Sequence, residues 1–202
     1  MPFRSLHPTA LRLVKTCDEL LDQVRPDEVS AEKVLEISGV SKGSMYHHFE
    51  DLDDLLEITY VYRYSKWIDL TTSKMSEILT LAKTPDELKQ SLFEITRLTQ
   101  KDSQAGIRLE RAWIYSQGFK NERFKSRLVA EGERLTASLE DLVKDVMNKE
   151  LFKSHLNPRV VAVFIQAYTF GVLVNDFIKN RITQEEWIDF INTVIDQMFI
   201  NN

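Results

Sequence analysis

Apolar residues recur at the period of an α-helix along almost the whole chain, and this pattern limits the possible folds more than any other feature. The clearest stripe consists of Leu13, Val14, Cys17, Leu20, Leu21 and Val24. These positions share one face at about 3.6 residues per turn. Only 6 glycines and 5 prolines occur in 202 residues, so few turns are available. No segment shows the alternation of a strand, and the sequence therefore predicts an all-α protein with about nine helices.

Side chains that accept hydrogen bonds from the first backbone amides of a helix mark the helix starts. The candidate caps are Ser41, Asp51, Thr84, Asn157 and Thr183. Gly39 is expected to end the helix over residues 31–38, because glycine readily adopts the left-handed conformation. The first helices are short, whereas the run after residue 51 predicts a helix to about residue 81. The change in helix length divides the chain into predicted domains of residues 1–50 and 51–202.

Composition narrows the class of protein. The 31 acidic side chains outnumber the 26 lysines and arginines, which excludes a uniformly basic nucleic-acid-coating protein. The single cysteine, Cys17, cannot form an internal disulfide, and no apolar signal core opens the sequence, so a cytoplasmic location is expected. The longest apolar stretch, residues 160–178, is interrupted by Gln166, Asn175 and Asp176. It is predicted to form a buried helix, and no membrane partner is expected.

The short helices on either side of Gly39-Val40-Ser41 predict a helix-turn-helix. Short helix pairs also occur as plain packing units, so the second helix must carry the functional argument. With Met45 in the core, steps of 100° place Phe49 beside it. The face away from the core carries Lys42, Gly43, Ser44, Tyr46 and His47. Hydroxyl, imidazole and ammonium groups beside a bare glycine suit a helix that enters the major groove of DNA.

The segment over residues 39–49 closely resembles the tetracycline-repressor (TetR) family of bacterial transcriptional regulators. The resemblance extends over residues 11–56 and includes the stripe of helix one, Val29-Ser30 opening helix two, the Gly-Val-Ser turn and the Tyr-x-His-Phe ending. It implies an N-terminal helix-turn-helix domain and a C-terminal helical domain for effector binding and dimerisation. It further implies a homodimer that binds a palindromic operator in double-stranded DNA, with repression as the usual output.

The resemblance also assigns roles to individual residues. Lys42, Ser44 and His47 are expected to face bases or nearby backbone, Tyr46 to contact a phosphate, and Gly43 to allow close approach. Ser30, Ser41 and His48 complete the predicted DNA-binding set. For His48, a phosphate contact and a buried hydrogen-bonding support remain equally open.

Three positions depart from the pattern of the family: Arg25 replaces a turn glycine, Val29 replaces a threonine, and Leu52 replaces a phosphate-binding lysine. Residues 1–50 carry six basic and eight acidic side chains, so strong nonspecific affinity for DNA is not expected. Specificity would come from two half-sites used together. The alternative is a dimeric ligand-binding or protein-interaction module that has lost DNA binding.

The last two predicted helices carry long apolar stripes that favour a four-helix dimer bundle, as the resemblance implies. The predicted interface consists of Phe164, Tyr168, Gly171, Trp187, Ile191 and Ile195. The alternative is that these helices pack within one chain.

A small-molecule effector, hydrophobic or aromatic, is the second partner that the resemblance implies. The candidate ligand-binding residues are Tyr60, Tyr64, Trp67, Arg111 and Trp113. Aromatic residues at helical spacing are usually core, and Arg111 could instead extend to solvent or pair with Glu110.

The sequence lacks the motifs of common catalytic sites. It contains no Walker-type loop, GxSxG elbow, CxxC pair or HExxH motif. His47 and His48 point about 100° apart on a helix, so they cannot bind one metal ion together. We expect a protein that is not an enzyme and uses no metal or cofactor, located in the bacterial cytoplasm and at the nucleoid when bound to DNA.

Overall fold

The computed structural model describes residues 6–153 and 155–200. In this part of the chain nine α-helices form, and the only β-type pairing is an isolated antiparallel bridge between Phe152 and Ile200. The helices are α1 (Pro8–Leu21), α2 (Ala31–Ser38), α3 (Lys42–His48), α4 (Leu52–Leu81), α5 (Pro85–Thr99), α6 (Ala105–Lys120), α7 (Glu122–Asn148), α8 (Pro158–Gly171) and α9 (Gln184–Met198). The all-α prediction is confirmed.

The predicted caps form where the sequence placed them. Ser41 Oγ accepts from the Ser44 amide at 3.2 Å, and Asp51 Oδ1 accepts from the Asp54 amide at 2.7 Å. Thr84, Asn157 and Thr183 likewise accept from amides in the first turns of α5, α8 and α9. These bonds satisfy backbone donors that have no partner inside the helix, and they fix where each helix begins.

The end of α1 differs from the sequence prediction. The apolar stripe runs on to Val24, but α1 ends at Leu21. The Gln23 and Val24 amides both bond to the Leu20 carbonyl, at 2.9 and 3.0 Å, which closes the helix in a turn. Pro26, two residues further on, cannot continue a helical ladder because it has no N–H.

The apolar segment that begins at Pro158 also differs from its sequence prediction. α8 ends at Gly171 and a tighter 3-10 turn covers Val172–Phe177, so one α-helix does not extend through the predicted stretch of residues 160–178. Asn175 binds both the amide and the carbonyl of Ile182, which holds the chain in the loop before α9. The prediction of a buried helix is wrong for the single chain, because only 17% of the most apolar window in Pro158–Phe177 is buried. By length and composition this segment is apolar enough to cross a membrane.

The chain divides into two compact units. Unit 1 comprises Met1–Ile68 and Ile114–Gly132, and unit 2 comprises Asp69–Trp113 and Glu133–Asn202. The division falls inside α4, α6 and α7. Unit 1 contains all of α1, α2 and α3, whereas the predicted functional boundary near residue 50 remains a prediction.

The apolar core of unit 1 holds α3 in place. Leu13 and Val14 of α1 are fully buried together with Val34 of α2 and Met45 and Phe49 at the end of α3. Each such side chain contributes roughly 1.5–3 kcal/mol through removal of apolar surface from water. Met45 and Phe49 thus fix one side of α3 to this core, while Ser44 and His48 are half-buried and the other residues of α3 are exposed.

Buried carboxylates connect α4 to two other helices of unit 1. Asp18 of α1 pairs with Arg63 of α4, where Oδ1 and Nε are 2.5 Å apart. Glu57 of α4 accepts from Nε and Nη2 of Arg123, each at 2.9 Å, and from Nη1 of Arg127 at 2.9 Å. Its hydrogen bond and charge raise the pKa of Arg123 above its ordinary value.

Unit 2 is built mainly on apolar contact. Leu88 and Ile95 of α5 and Ile191 and Ile195 of α9 are buried, and these two helices pack on one another. Trp187 also joins α9 to the end of α5, because its indole N–H donates to Gln100 Oε1 at 3.0 Å.

Candidate nucleic-acid interface

A left-handed residue makes the turn between α2 and α3. Gly39 has φ of 65° and ψ of 20°, and its amide bonds to the Leu35 carbonyl at 3.0 Å. Residues with a Cβ seldom adopt this conformation, so the turn needs glycine for its backbone and not for space. Val40, immediately after it, is buried in the core of unit 1, which fixes the direction in which α3 leaves the turn.

The two faces of α3 differ as the helical period predicts. Met45 is fully buried, while Lys42, Gly43 and His47 are exposed and the Tyr46 side chain is 47% exposed. A Cβ built on Gly43 would meet no atom within 4 Å. Packing within the chain therefore does not require glycine at this position, and the bare backbone is open to a partner from outside.

Two of the three serines predicted to bind DNA, Ser30 and Ser41, are helix caps. Ser30 Oγ accepts from the Lys33 amide, and Ser41 Oγ accepts from the Ser44 amide, both at 3.2 Å. A hydroxyl that accepts through one lone pair still has its own proton to donate. Both side chains therefore keep a donor for a phosphate oxygen while they hold the starts of α2 and α3.

Lys42 and Tyr46 lie together on the exposed face. Lys42 Nζ is 6.0 Å from the centroid of the Tyr46 ring, at the outer limit of a cation–π contact. This places an ammonium and a phenol side by side on the surface that the sequence predicts for DNA.

His48 lies in the last turn of α3, beside two other histidines. Its ring is half-buried and stacks on His7 with centroids 5.2 Å apart, and it meets His47 edge-on at 5.1 Å. Burial lowers the pKa of His48 below its ordinary value, and the charges of His47 and His7 lower it further. Sequence analysis missed His7, although a cap residue before Pro8 was a usable signal.

The structure accounts for the three departures from the family pattern. Val29 is buried in the core of unit 1 and Leu52 packs against it. Arg25 pairs with Asp27 at 3.2 Å and with Glu28 at 3.6 Å in the turn before α2. Each substitution thus has a structural role in this chain.

The candidate effector residues fall in both units. In unit 1, Tyr64 is buried with its hydroxyl 2.5 Å from that of Tyr115, and its ring stacks on Trp67 with centroids 5.9 Å apart. Tyr60, one turn earlier on α4, lies against Phe124 with centroids 6.4 Å apart. These three predicted residues therefore belong to aromatic clusters on α4.

In unit 2, Arg111 is 6% exposed, and its guanidinium carbon is 5.2 Å from the centroid of the Phe170 ring. The predicted alternative in which this side chain extends to solvent is therefore wrong. Trp113, two residues later on α6, is exposed.

The predicted dimer residues divide into two groups. Ile191 and Ile195 are buried inside their own chain and Trp187 bonds to Gln100, so internal packing describes these residues correctly, and the prediction that the two isoleucines face a partner is wrong. Phe164 and Tyr168 are half-buried, with ring centroids 5.6 Å apart. Gly171 is exposed.

No family model matches the sequence, and no curated protein does, but many solved structures share its fold. A Mesorhizobium loti protein described as a TetR-family transcriptional regulator is 14% identical, with a TM-score of 0.69 over 96% of this chain and 97% of that one. A TetR-family regulator from Cytophaga hutchinsonii is 13% identical, with a TM-score of 0.68 over 98% and 100%. A Saccharomonospora viridis protein described as a transcriptional regulator, solved in complex with choline, is 13% identical, with a TM-score of 0.64 over 96% and 98%.

The fold and the exposed face of α3 define an all-α helix-turn-helix protein. More specifically, the whole chain has the fold of the TetR-family transcriptional regulators. At these identities the likeness concerns the fold, and the roles of individual residues have to be argued from this chain.

Proposed function

We propose that the protein is a transcriptional regulator that binds DNA through the outward face of α3. One observation carries the proposal: Met45 and Phe49 fasten α3 to the core of unit 1, and the opposite face is polar and centred on a glycine that packing does not require. A helix that served only packing would gain nothing from this arrangement. In the major groove the exposed backbone at Gly43 would allow close approach, and the neighbouring donors would reach base edges and phosphates.

The side chains on the outward face of α3 have two proposed roles. Lys42, Ser44 and His47 are positioned for bases or nearby backbone, and Tyr46 for a phosphate. Few cations are available on this surface, since the first 50 residues carry more acids than bases. Each phosphate neutralised adds about −0.9 to the slope of log affinity against log salt, so one subunit alone binds weakly and two half-sites are required.

The exposed side of α8 supports a homodimer. Val160 is 65% exposed, Val163 is 52% exposed, and Ala167 and Gly171 follow on the same face at helical spacing. Monomers seldom leave a contiguous apolar surface of this kind open to water. We infer that a second copy covers it, which makes the dimer two-fold symmetric and its operator a palindrome.

A small, hydrophobic or aromatic effector completes the proposal. The choline-bound neighbour is a protein of the same fold that holds a small molecule. In this chain there are two separate candidates for the effector contact: the Tyr64 and Trp67 pair in unit 1, and the Arg111 and Phe170 pair in unit 2. An effector that shifts α4 would change the separation of the two α3 helices from the roughly 34–36 Å between successive major grooves. Repression in the cytoplasm, without catalysis or a cofactor, is the output we propose.

Selection of bound sequences from random duplex DNA, at two salt concentrations and with light scattering to measure mass, tests this function. An enriched palindrome bound by a dimer is the expected result. His47→Ala should relax the sequence preference, whereas Tyr46→Phe should weaken binding by a similar factor on every duplex. His155→Ala, which changes a histidine of unit 2, is the matched control.

The same test distinguishes the DNA-binding regulator from the alternative, a dimeric module that does not bind DNA. A clean dimer that enriches no sequence at low salt, with or without cell extract, would identify a dimeric ligand-binding or interaction module. Enrichment only with extract would indicate that an effector is needed for binding. Unchanged sequence preference in His47→Ala would remove that residue from base recognition.

A further inference from the structure

Three of the four histidines lie together beside the outward face of α3. His7 precedes α1, and His47 and His48 occupy the last turn of α3. The His48 ring lies between the other two, stacked on His7 at 5.2 Å and edge-on to His47 at 5.1 Å. We call these three side chains the histidine cluster.

The surroundings of the cluster favour the neutral form of its central ring, His48. Burial disfavours the protonated form of His48 most, and the electrostatic effects of His47 on α3 and of His7, the cap of α1, disfavour it further. The carboxylates that follow α3 have other partners. Glu50 accepts from Arg123 at 2.7 Å, and Asp51 caps α4.

We propose that the histidine cluster is a phosphate-binding site that takes up a proton from solvent when DNA binds. This inference rests on the proposed function, because the phosphates come from the DNA duplex. An anion within about 4–6 Å favours the charged form of an imidazole. A backbone phosphate at the cluster therefore supplies a counter-charge that stabilises the protonated ring.

The three rings have different parts in this site. His7 Nδ1 accepts from the Thr9 amide at 3.2 Å, so its neutral ring carries the proton on Nε2. Protonation of Nδ1 would break this cap, and a cation at the start of a helix is unfavourable. His7 therefore serves as a hydrogen-bond donor through Nε2, and the added proton goes to His48, near the carbonyl end of α3.

Proton uptake makes affinity depend on pH. Each proton taken up strengthens binding by up to about tenfold per unit fall in pH across the titration range. At constant salt we expect the operator affinity of the wild-type protein to be at least about fivefold higher at about pH 6 than at about pH 8. The salt slope should also steepen at the lower pH, by about 0.9 for each new imidazolium–phosphate contact.

The experiment compares wild type with the combined variant His7→Asn, His47→Gln and His48→Gln on the selected operator. Asparagine keeps the cap of α1 and does not titrate. The combined variant should bind more weakly and change less than about twofold between the two pH values. His155→Gln removes the fourth histidine and should retain the full pH dependence. Circular dichroism verifies that each variant is folded.

The outcomes separate the cluster from the function on which it rests. Equally tight binding by the wild-type protein at both pH values would contradict proton uptake by the histidine cluster and leave the proposed DNA-binding function intact. Full pH dependence in the combined variant would overturn it as well, because the proton would then bind elsewhere. Failure to bind any duplex at either pH would overturn both.

Discussion

The two units bury charge of opposite sign. In the part of the chain that the structure describes, the buried charged residues of unit 1 are all acidic: Asp18, Asp54, Glu57 and Glu131. Those of unit 2 are both arginines, Arg108 and Arg111. Burying a charge is unfavourable unless it is paired, so each unit must stabilise its own charges in a different way.

Unit 1 stabilises its carboxylates with arginines from distant parts of the chain. Glu57 is held by Arg123 and Arg127 at hydrogen-bond distance, and Asp18 by Arg63. In unit 2, Arg108 donates to the Lys101 carbonyl at 3.0 Å and is 3.9 Å from an oxygen of Asp176. The buried carboxylates of unit 1 are thus held by close charge pairs, whereas the buried Arg108 of unit 2 is held by a backbone carbonyl and a more distant carboxylate.

Glu57→Gln should lower the stability of the protein more than any other change considered for these two units. It leaves Arg123 and Arg127 without their shared buried carboxylate, and we expect the free energy of unfolding to fall by about 3 kcal/mol. Urea denaturation followed by circular dichroism measures it. Glu122→Gln, which disturbs an exposed pair with Lys125, should lower stability by less than about 0.5 kcal/mol. Equal losses in the two variants would contradict the importance of the buried pair.

Double-mutant cycles measure how strongly the charged pairs of each unit are coupled. The coupling energy between Glu57→Gln and Arg123→Met should lie at about 1–3 kcal/mol, because the two side chains share two hydrogen bonds. The coupling between Asp176→Asn and Arg108→Met should be below about 0.5 kcal/mol, since their closest charged atoms are 3.9 Å apart. A larger coupling in unit 2 than in unit 1 would reverse our conclusion.

Arg108→Met alone should change stability by less than about 1 kcal/mol. Methionine keeps much of the apolar stem and removes the unfavourable burial of a guanidinium, which offsets the lost bond to the Lys101 carbonyl. Thermal and urea unfolding measure the change. A loss as large as that expected for Glu57→Gln would show that the buried arginine of unit 2 is paired as strongly as the carboxylates of unit 1.

His48 should make the stability of the protein depend weakly on pH, and this is a smaller change than those above. The pKa of His48 is below its ordinary value of 6.5 in the folded chain, so the unfolded chain binds a proton more readily. Stability from the neutral ring is present above about pH 6.5 and is lost as pH falls through the folded pKa. His48→Gln should therefore lose less stability than wild type between about pH 7.5 and pH 5.5. His155→Gln should behave as wild type, and identical losses in all three proteins would exclude His48 as the cause.

Local sequence signals predicted most of the fold. Ser41, Thr84 and Thr183 cap the helices that the sequence placed after them, because a cap and its target amide lie within three residues. The burial of Met45 and Phe49 followed from the helical period alone. These features depend on neighbours in sequence, and a single sequence contains them directly.

Contacts between residues that are distant in the chain could not be predicted from the sequence. Nothing near Glu57 indicates that Arg123, 66 positions later, supplies its counter-charge. The stacking of His48 on His7 likewise joins positions 41 residues apart in the chain. The burial of Ile191 and Ile195 within their own chain was missed for a related reason, because an apolar stripe does not specify whether its partner is another helix of the chain or a second copy.

The division of the chain into units bears on how such a protein can acquire new specificity. The chain passes between the units inside α4, α6 and α7, so unit 1 is assembled from two separate stretches of sequence. Recombination with a relative at a single point would join half of one unit to half of another and leave their buried pairs mismatched. A clean exchange would need three junctions, each preserving helical register. Gradual substitution within the existing chain is therefore the more accessible evolutionary route to a new operator or effector.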